Sequence, residues 1–540
     1  MKIKIGIFIF LIFISSLSFC QYVEAYNIIT RDGVSLSTDI YFPFYSSSPL
    51  PVILIRTCYG KENLSSIGFY FSSKKYIVAI QDTRGHGKSG GKPSSFLKEA
   101  DDGFDTIKWL EEKNWCNKNI GCFGASALGI NNYLLSSTNV SSLKTIVSLV
   151  ATPDLYEYAV YPGGLFREYD ILKWMEDNGE GENIPLILEN PARNFLWDFL
   201  SLDGKYDNLN ISTLNIGGWY DIFKDGTIEA YRGFKKISKN KEDSVLIMGP
   251  WTHSGYTTTK QGELNYPPNS ILNLDEIIEK WFDYYLKGKG EKPFKGKSFL
   301  GYLMGDVKIP SNDYNVWINL EEYNQINYPL KRFYFSKENK LIKEKPKDEN
   351  FQEIKFNPEE PSPTIGGANL FLKSGPYDQR ELLERNDIIY FKTNFLEGTL
   401  KVLGNVYAEV FLSSDKKDLD VCIRLVDIYP DGKWMLLSDG CQRGRFRESF
   451  EEEKLLEEGK IYKIKINVGN IFYWFKEGHS IGLILSGSNY PRFEVNPQSG
   501  EEIHKETRKE TANVKIYFSK KHPSRIVFPT FNEESHKKSF

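Results

Sequence analysis

Neither sign of charge is in excess in this chain: 68 Lys and Arg stand against 71 Asp and Glu, a formal net charge of −3 over 540 residues. Without a single-sign field, nucleic acid and anionic membrane surfaces are excluded as partners held by charge. Cysteine is sparse, six in all. With no C-x-x-C pair and no Cys/His cluster, neither a disulfide framework nor a metal site is indicated. Internal repeats are absent. Long apolar runs are missing apart from Ile5 to Leu17, which Lys2 and Lys4 precede and Val23-Glu24-Ala25 follows. That pattern reads as a cleaved export signal over residues 1 to 25, with a mature start near Tyr26 and a secreted or periplasmic destination. The run is short for a span of roughly 20 residues, so no stable membrane span is expected after cleavage. Leu17-Ser-Phe-Cys20 resembles a lipoprotein site, but the bulky Phe19 argues against anchoring at Cys20.

What is present is an ordinary globular composition in a chain too long for one core, about three or four domains by length. Residues 27 to 43 read as a hairpin around Arg31-Asp-Gly33. Short apolar runs at Val52 to Arg56 and Tyr76 to Gln81 follow, then a helix from about Glu99 to Lys113 with Phe104, Ile107 and Leu110 at helical spacing. Alternation of this kind predicts a doubly wound α/β sheet, its first half over residues 26 to 152 and its second over 211 to 311. Between them, residues 153 to 210 form an aromatic-rich insertion containing Tyr156, Tyr161, Phe166, Trp174, Trp197 and Phe199. It stands where a helical cap is expected. From residue 312 to 540 the texture is all-β, short alternating runs punctuated by turns, which predicts a β-sandwich. The charged, Pro-rich stretch from Ser336 to Gly367 reads as a surface connection.

Chemistry is most visible at Asn119-Ile-Gly-Cys-Phe-Gly-Ala-Ser-Ala-Leu-Gly129. An apolar strand runs into a glycine-flanked Ser126 and then into a helix-competent stretch, the form of a nucleophile elbow. The second glycine falls at 129, with Leu128 where G-x-S-x-G would place it, so the motif alone is also compatible with an ordinary turn. Downstream, Thr213 to Asp221 is an apolar run ending in an acid, and Ser244 to His253 is one ending in a histidine. The order Ser126, Asp221, His253, each just past a buried-type strand, is that of an α/β-hydrolase triad. Asp221 could also cap a helix. Only six histidines are available, and among them His253 alone follows both serine and acid in this rhythm.

Taken together, Arg56-Thr-Cys-Tyr-Gly-Lys61, Gln81-Asp-Thr-Arg-Gly-His-Gly-Lys-Ser-Gly90, Gly124-Ala-Ser-Ala-Leu-Gly129, Gly218-Trp-Tyr-Asp221 and Gly249-Pro-Trp-Thr-His-Ser254 resemble signatures of the CocE/NonD serine hydrolases. That family includes cocaine esterase and is related to X-Pro dipeptidyl-peptidases and α-amino acid ester hydrolases. Similarity continues through Leu425 to Gly432, Arg443 to Ser449, Phe475 to His479 and Ser486 to Phe493, covering the chain from about Asn27 onward. The resemblance implies Ser126 as nucleophile, Asp221 as acid and His253 as base. It also implies an oxyanion hole made by the Tyr59 phenol and the Ala127 N–H, and a jelly roll for the C-terminal domain. Ala127 replaces a common Tyr, and Cys58 replaces a common Pro before Tyr59.

The expected reaction is ester hydrolysis through an acyl-enzyme, with no metal or organic cofactor and a small-molecule ester or short peptide as substrate. X-Pro dipeptidyl-peptidase and β-lactam or amino-ester acylase activities are the alternatives. In α-amino acid ester hydrolases acids follow the catalytic acid by two and three residues, where this chain has Phe223 and Lys224. A more remote alternative is a glycan-binding protein with an inactive hydrolase domain. Finally, if Pro430-Asp-Gly432 turns a hairpin with Tyr429 opposite Trp434, Cys422 falls opposite Cys441, close enough either for a bridge or for two buried thiols.

Overall fold

The computed structural model describes residues 21–44, 48–323 and 328–531. Its first sheet has ten strands, of which eight carry the argument: β1 (Tyr22–Ile29), β2 (Ser35–Phe42), β3 (Leu50–Thr57), β4 (Ile77–Asp82), β5 (Cys116–Ala125), β6 (Leu143–Leu149), β7 (Ser212–Tyr220) and β8 (Ser244–Thr252). The spatial order β1-β2-β4-β3-β5-β6-β7-β8 continues into Phe299–Leu303 and Val316–Leu320. From β4 to Phe299–Leu303 all neighbours are parallel, while β2 and Val316–Leu320 run against them.

Burial on both faces explains the apolar strands. In β3, Val52 and Leu54 face one helical layer and Ile53 and Ile55 the other, all fully buried. Helices α2 (Glu99–Glu111) and α3 (Ala127–Ser136) cover the first face. The second is covered by α1 (Ser65–Ser73) and, from further along the chain, a helix at Leu274–Lys287. Strand order reverses direction between β3 and β5, and that reversal opens a crevice at the carboxyl ends of the parallel strands.

Between β6 and β7 the chain leaves the sheet as a run of short helices, among them α4 (Glu168–Asp177), α5 (Ile184–Leu188) and α6 (Phe195–Phe199). The return into the sheet is followed by α7 (Lys224–Ile237). The C-terminal part forms an 11-stranded, almost wholly antiparallel assembly. Its longest strand, Leu400–Ser414, pairs with Tyr462–Phe475, Ala512–Tyr517 and Arg525–Pro529.

Four expectations meet corrections or limits. The all-β texture is read from residue 312, yet Val316–Leu320 still pairs with Phe299–Leu303 in the first sheet. The stretch read as a connection from Ser336 to Gly367 contains a strand, Phe351–Phe356, whose Ile354 and Phe356 are buried against Ala512–Tyr517. Of the expected export signal, residues 1–20, including Cys20, lie outside the described residues. Tyr22–Ala25 do not: as the start of β1 they pair with Asp39–Phe42 of β2, and Tyr22 stacks on Phe42 at 4.8 Å, so the folded sheet begins before the expected start at Tyr26. Among the described residues no helix is long and apolar enough to cross a membrane.

Cys422 and Cys441 are bonded as a disulfide. They do face each other in the hairpin, though by a different route from the one the sequence suggests. Ile428, not Tyr429, lies opposite Trp434, and a register shift between Leu425 and Val426 restores the pairing of Cys422 with Cys441.

Candidate active site

Ser126 follows β5 in a backbone conformation that residues other than glycine rarely adopt, with φ of 59° and ψ of −126°. Two hydrogen bonds hold the turn: the Ser126 N–H donates to the Leu149 carbonyl, and the Ile130 N–H to the Ser126 carbonyl, each at 2.9 Å. The glycines explain the departure from the usual motif spacing. A Cβ on Gly124 would lie 2.5 Å from the Leu128 backbone, and one on Gly129 would lie 2.7 Å from the Ala151 side chain. Gly129 therefore admits β6's exit segment, and Leu128 is tolerated because its backbone lies over Gly124.

Asp221 follows β7 and His253 follows β8, both buried. The His253 ring spans the two other groups, with Nδ1 2.6 Å from Asp221 Oδ1 and Nε2 3.0 Å from Ser126 Oγ. An ionised carboxylate requires the proton on Nδ1, which leaves the Nε2 lone pair facing the serine hydroxyl. Close approach of the two strand ends depends on Gly218, where a Cβ would meet the Trp251 carbonyl at 2.1 Å. Asp221 does not cap α7; Phe223 occupies that position and its ring packs edge-on against His253 at 5.6 Å. Behind the histidine, buried Gln261 accepts from the Thr252 N–H at 2.9 Å and donates to the carbonyls of Gly255 and Thr258, each at 2.8 Å, fixing the loop.

Tyr59 sits just beyond β3, on the other side of the strand-order reversal from Ser126. Burial, chiefly, raises its phenol well above the ordinary tyrosine value, so it stays protonated, with hydrogen bonding to Ser126 and to Cys58 acting in opposite senses. Ala127 opens α3, where first-turn N–H groups have no intrahelical acceptor, and it lines the cavity beside Ser126. All five residues named from the sequence are thus gathered at one sheet edge. His86 is not among them: its Nδ1 lies 2.9 Å from the Arg84 carbonyl within its own loop.

The adjoining recess, about 810 Å³ including its mouth, is walled by apolar side chains from α3, the helical insertion and Leu370. Of the insertion's aromatic residues, Trp174 and Trp197 line it, whereas Phe195 and Phe199 point to solvent. Asp170 is the one ionisable side chain in the wall, and both its oxygens are engaged, accepting the N–H groups of Leu370 at 3.2 Å and Phe371 at 3.0 Å. Gln261, Asp170 and the 3.0 Å contact between Trp174 Nε1 and the Tyr59 oxygen escape sequence reasoning.

Comparison with known proteins agrees with this architecture. The family model for X-Pro dipeptidyl-peptidase (S15 family) matches residues 32–185 and 178–255, and that for the X-Pro dipeptidyl-peptidase C-terminal non-catalytic domain matches residues 296–527. Cocaine esterase of Rhodococcus sp. (strain MB1 Bresler) is 29% identical over 94% of this chain and 99% of its own. In fold, the chain is similar to an α-amino acid ester hydrolase with a TM-score of 0.83, at 22% identity over 96% of this chain and 98% of that one. It is also similar to a CocE/NonD family hydrolase from Staphylococcus aureus with a TM-score of 0.74, at 17% identity over 95% and 94%. The fold and the family matches define an enzyme of the ester or peptide hydrolase class. Within that class, the chain belongs to the CocE/NonD-like hydrolases.

Proposed function

We propose that this chain is an exported serine hydrolase that cleaves carboxylic esters with an apolar acyl group. The observation that carries the reading is the Ser126–His253–Asp221 relay at 3.0 and 2.6 Å beside an apolar recess. In this mechanism His253 Nε2 takes the Ser126 proton as Oγ attacks the ester carbonyl, and Asp221 stabilises the imidazolium. The Tyr59 O–H and the Ala127 N–H donate to the tetrahedral oxyanion. His253 then protonates the leaving alkoxide and in the second half activates water to release the acid. Residues 153–210 act as the cap that roofs the pocket, and the C-terminal β domain, read as a jelly roll, supplies Leu370 to its wall. The Cys422–Cys441 bridge supports export to an oxidising compartment.

A second reading, X-Pro dipeptidyl-peptidase, is favoured by the description of the matching family models. It requires a carboxylate to hold the substrate ammonium, as does amino-ester acylase activity. Asp170 is committed to backbone N–H groups, and Lys224 donates to Ser438 Oγ at 2.7 Å. The apolar wall therefore favours the ester. Rates on p-nitrophenyl esters of increasing acyl length, set against Gly-Pro-p-nitroanilide, decide between the two. Faster turnover of the anilide would replace the ester reading with the peptidase one.

A further inference from the structure

We propose that Trp174 is a positioning residue of the oxyanion hole: its indole N–H fixes the Tyr59 phenol so that the phenol's single proton is directed at the reacting centre. The inference rests on the reading of Tyr59 as an oxyanion donor. An indole nitrogen can only donate, so in its 3.0 Å contact with the Tyr59 oxygen the phenol is the acceptor. The one phenolic proton must then point elsewhere, and besides Trp174 it is Ser126 and Cys58 whose side-chain hydrogen bonding bears on the phenol. With the Ser126 proton directed to His253 Nε2, Ser126 Oγ is free to accept from Tyr59 at rest. When Oγ becomes an ester oxygen, the same O–H turns to the oxyanion beside it. Removing the indole N–H frees the hydroxyl rotor, and the thiol of Cys58 becomes a competing direction.

The indole is held firmly enough for this role. Its ring stacks on Phe96 at 5.5 Å and 17°. Its carbonyl accepts from Asn178 Nδ2 at 2.7 Å. One turn earlier in α4, Asp170 anchors the helix to the backbone of Leu370 and Phe371. Preorganisation of this kind is what makes an oxyanion donor effective, because beyond that small turn of the O–H no reorganisation is needed as charge develops. A pocket-wall role for Trp174 exists alongside, since the ring lines the recess, and the two roles separate experimentally.

A double-mutant cycle on the full chain tests the proposal with a p-nitrophenyl ester. Tyr59→Phe should lower kcat by about 10² to 10³. Trp174→Phe should lower kcat about tenfold with KM within about threefold, the cost of one ordering hydrogen bond. In the Tyr59→Phe background, Trp174→Phe should have no further effect on kcat, because the oxygen through which the indole acts is gone. An equal loss in both backgrounds, or a change confined to KM, overturns the proposal and leaves Trp174 as wall only. An unchanged kcat in Tyr59→Phe overturns the oxyanion reading and this inference with it, whereas a loss there with none in Trp174→Phe overturns the inference alone. Should phenylalanine leave a void that unfolds α4, 3-benzothienylalanine at position 174 keeps the bicyclic shape, removes only the N–H, and carries the same expectations.

Discussion

The Asp170 carboxylate accepts the backbone N–H of Leu370 at 3.2 Å across two hundred residues of sequence. Phe371 donates to the other oxygen, and Arg167 Nη1 donates to the Ala368 carbonyl at 3.2 Å. One helix of the insertion thus holds a loop of the C-terminal domain against the recess, so the recess is assembled from parts far apart in the chain.

Asp170→Asn should loosen that wall. The amide can present only one acceptor, so one buried N–H loses its partner at a cost of about 1–3 kcal/mol. The thermal midpoint should fall, and KM should rise for long acyl esters more than for acetate. Equal KM changes across the acyl series would show that the loop does not shape the pocket.

Ser126→Ala should abolish ester hydrolysis, with a loss of roughly 10⁴-fold or more in kcat, together with fluorophosphonate labelling. Stability should not fall through lost packing, since only one oxygen is removed. Activity within about tenfold of the parent would take Ser126 out of the mechanism.

His479 gives a pH dependence of stability. It is buried, with Nδ1 3.0 Å from the Asp427 carboxylate and Nε2 3.6 Å from Asp306 Oδ2. Burial would lower the imidazole, but hydrogen bonds and charge from Asp306 and Asp427 outweigh it and raise the value from 6.5 to about 9. A folded-state value above the unfolded one contributes stability that is fully present below about 6.5 and lost as pH rises through about 9. Urea midpoints should therefore drop between about pH 6 and pH 9.5, and His479→Gln should flatten that slope. A slope unchanged by the substitution would assign the pH dependence to other groups.

The Cys422–Cys441 bridge closes a separation of 19 residues. Replacing both cysteines by alanine should cost about 3 kcal/mol through loop-closure entropy. Among Cys58, Cys116, Cys122, Cys422 and Cys441, peptide mapping after alkylation without reductant should find at most the first three modified. Alkylation of all five would refute the bridge.

Much of this molecule is legible along the chain because its chemistry sits at the ends of buried strands. Ser126, Asp221 and His253 each follow an apolar run whose type is set locally, so the residues that converge can be named without knowing the distances, whereas Tyr59 and Ala127 are named only through the family resemblance. The cysteine pairing is a more instructive case. The sequence places Cys422 opposite Cys441 by assuming an unbroken ladder from Tyr429, whereas the actual turn is offset and a bulge at Leu425 and Val426 restores the register. Bulges leave no local signature, and the two offsets cancel. Asp170 and Trp174 are illegible for another reason: their partners, Leu370 and Tyr59, lie 200 and 115 residues away, and no periodicity encodes such a meeting. Val316–Leu320 was hidden by its position, an edge strand of half-exposed residues that reads like the β domain beyond it.

The cluster that fills the C-terminal assembly does not stop at that assembly. Trp219, Tyr220, Leu246 and Met248 from β7 and β8 pack in it together with Val402, Phe472 and Tyr473, and the Trp219 indole donates to the Tyr302 carbonyl at 2.9 Å. The strand ends that deliver Asp221 and His253 are thus seated in the same apolar interior as the β domain. Nature could not exchange that domain as a detachable accessory without re-cutting the floor under Asp221 and His253, and an engineer trimming the chain to its first sheet would expose that floor to water.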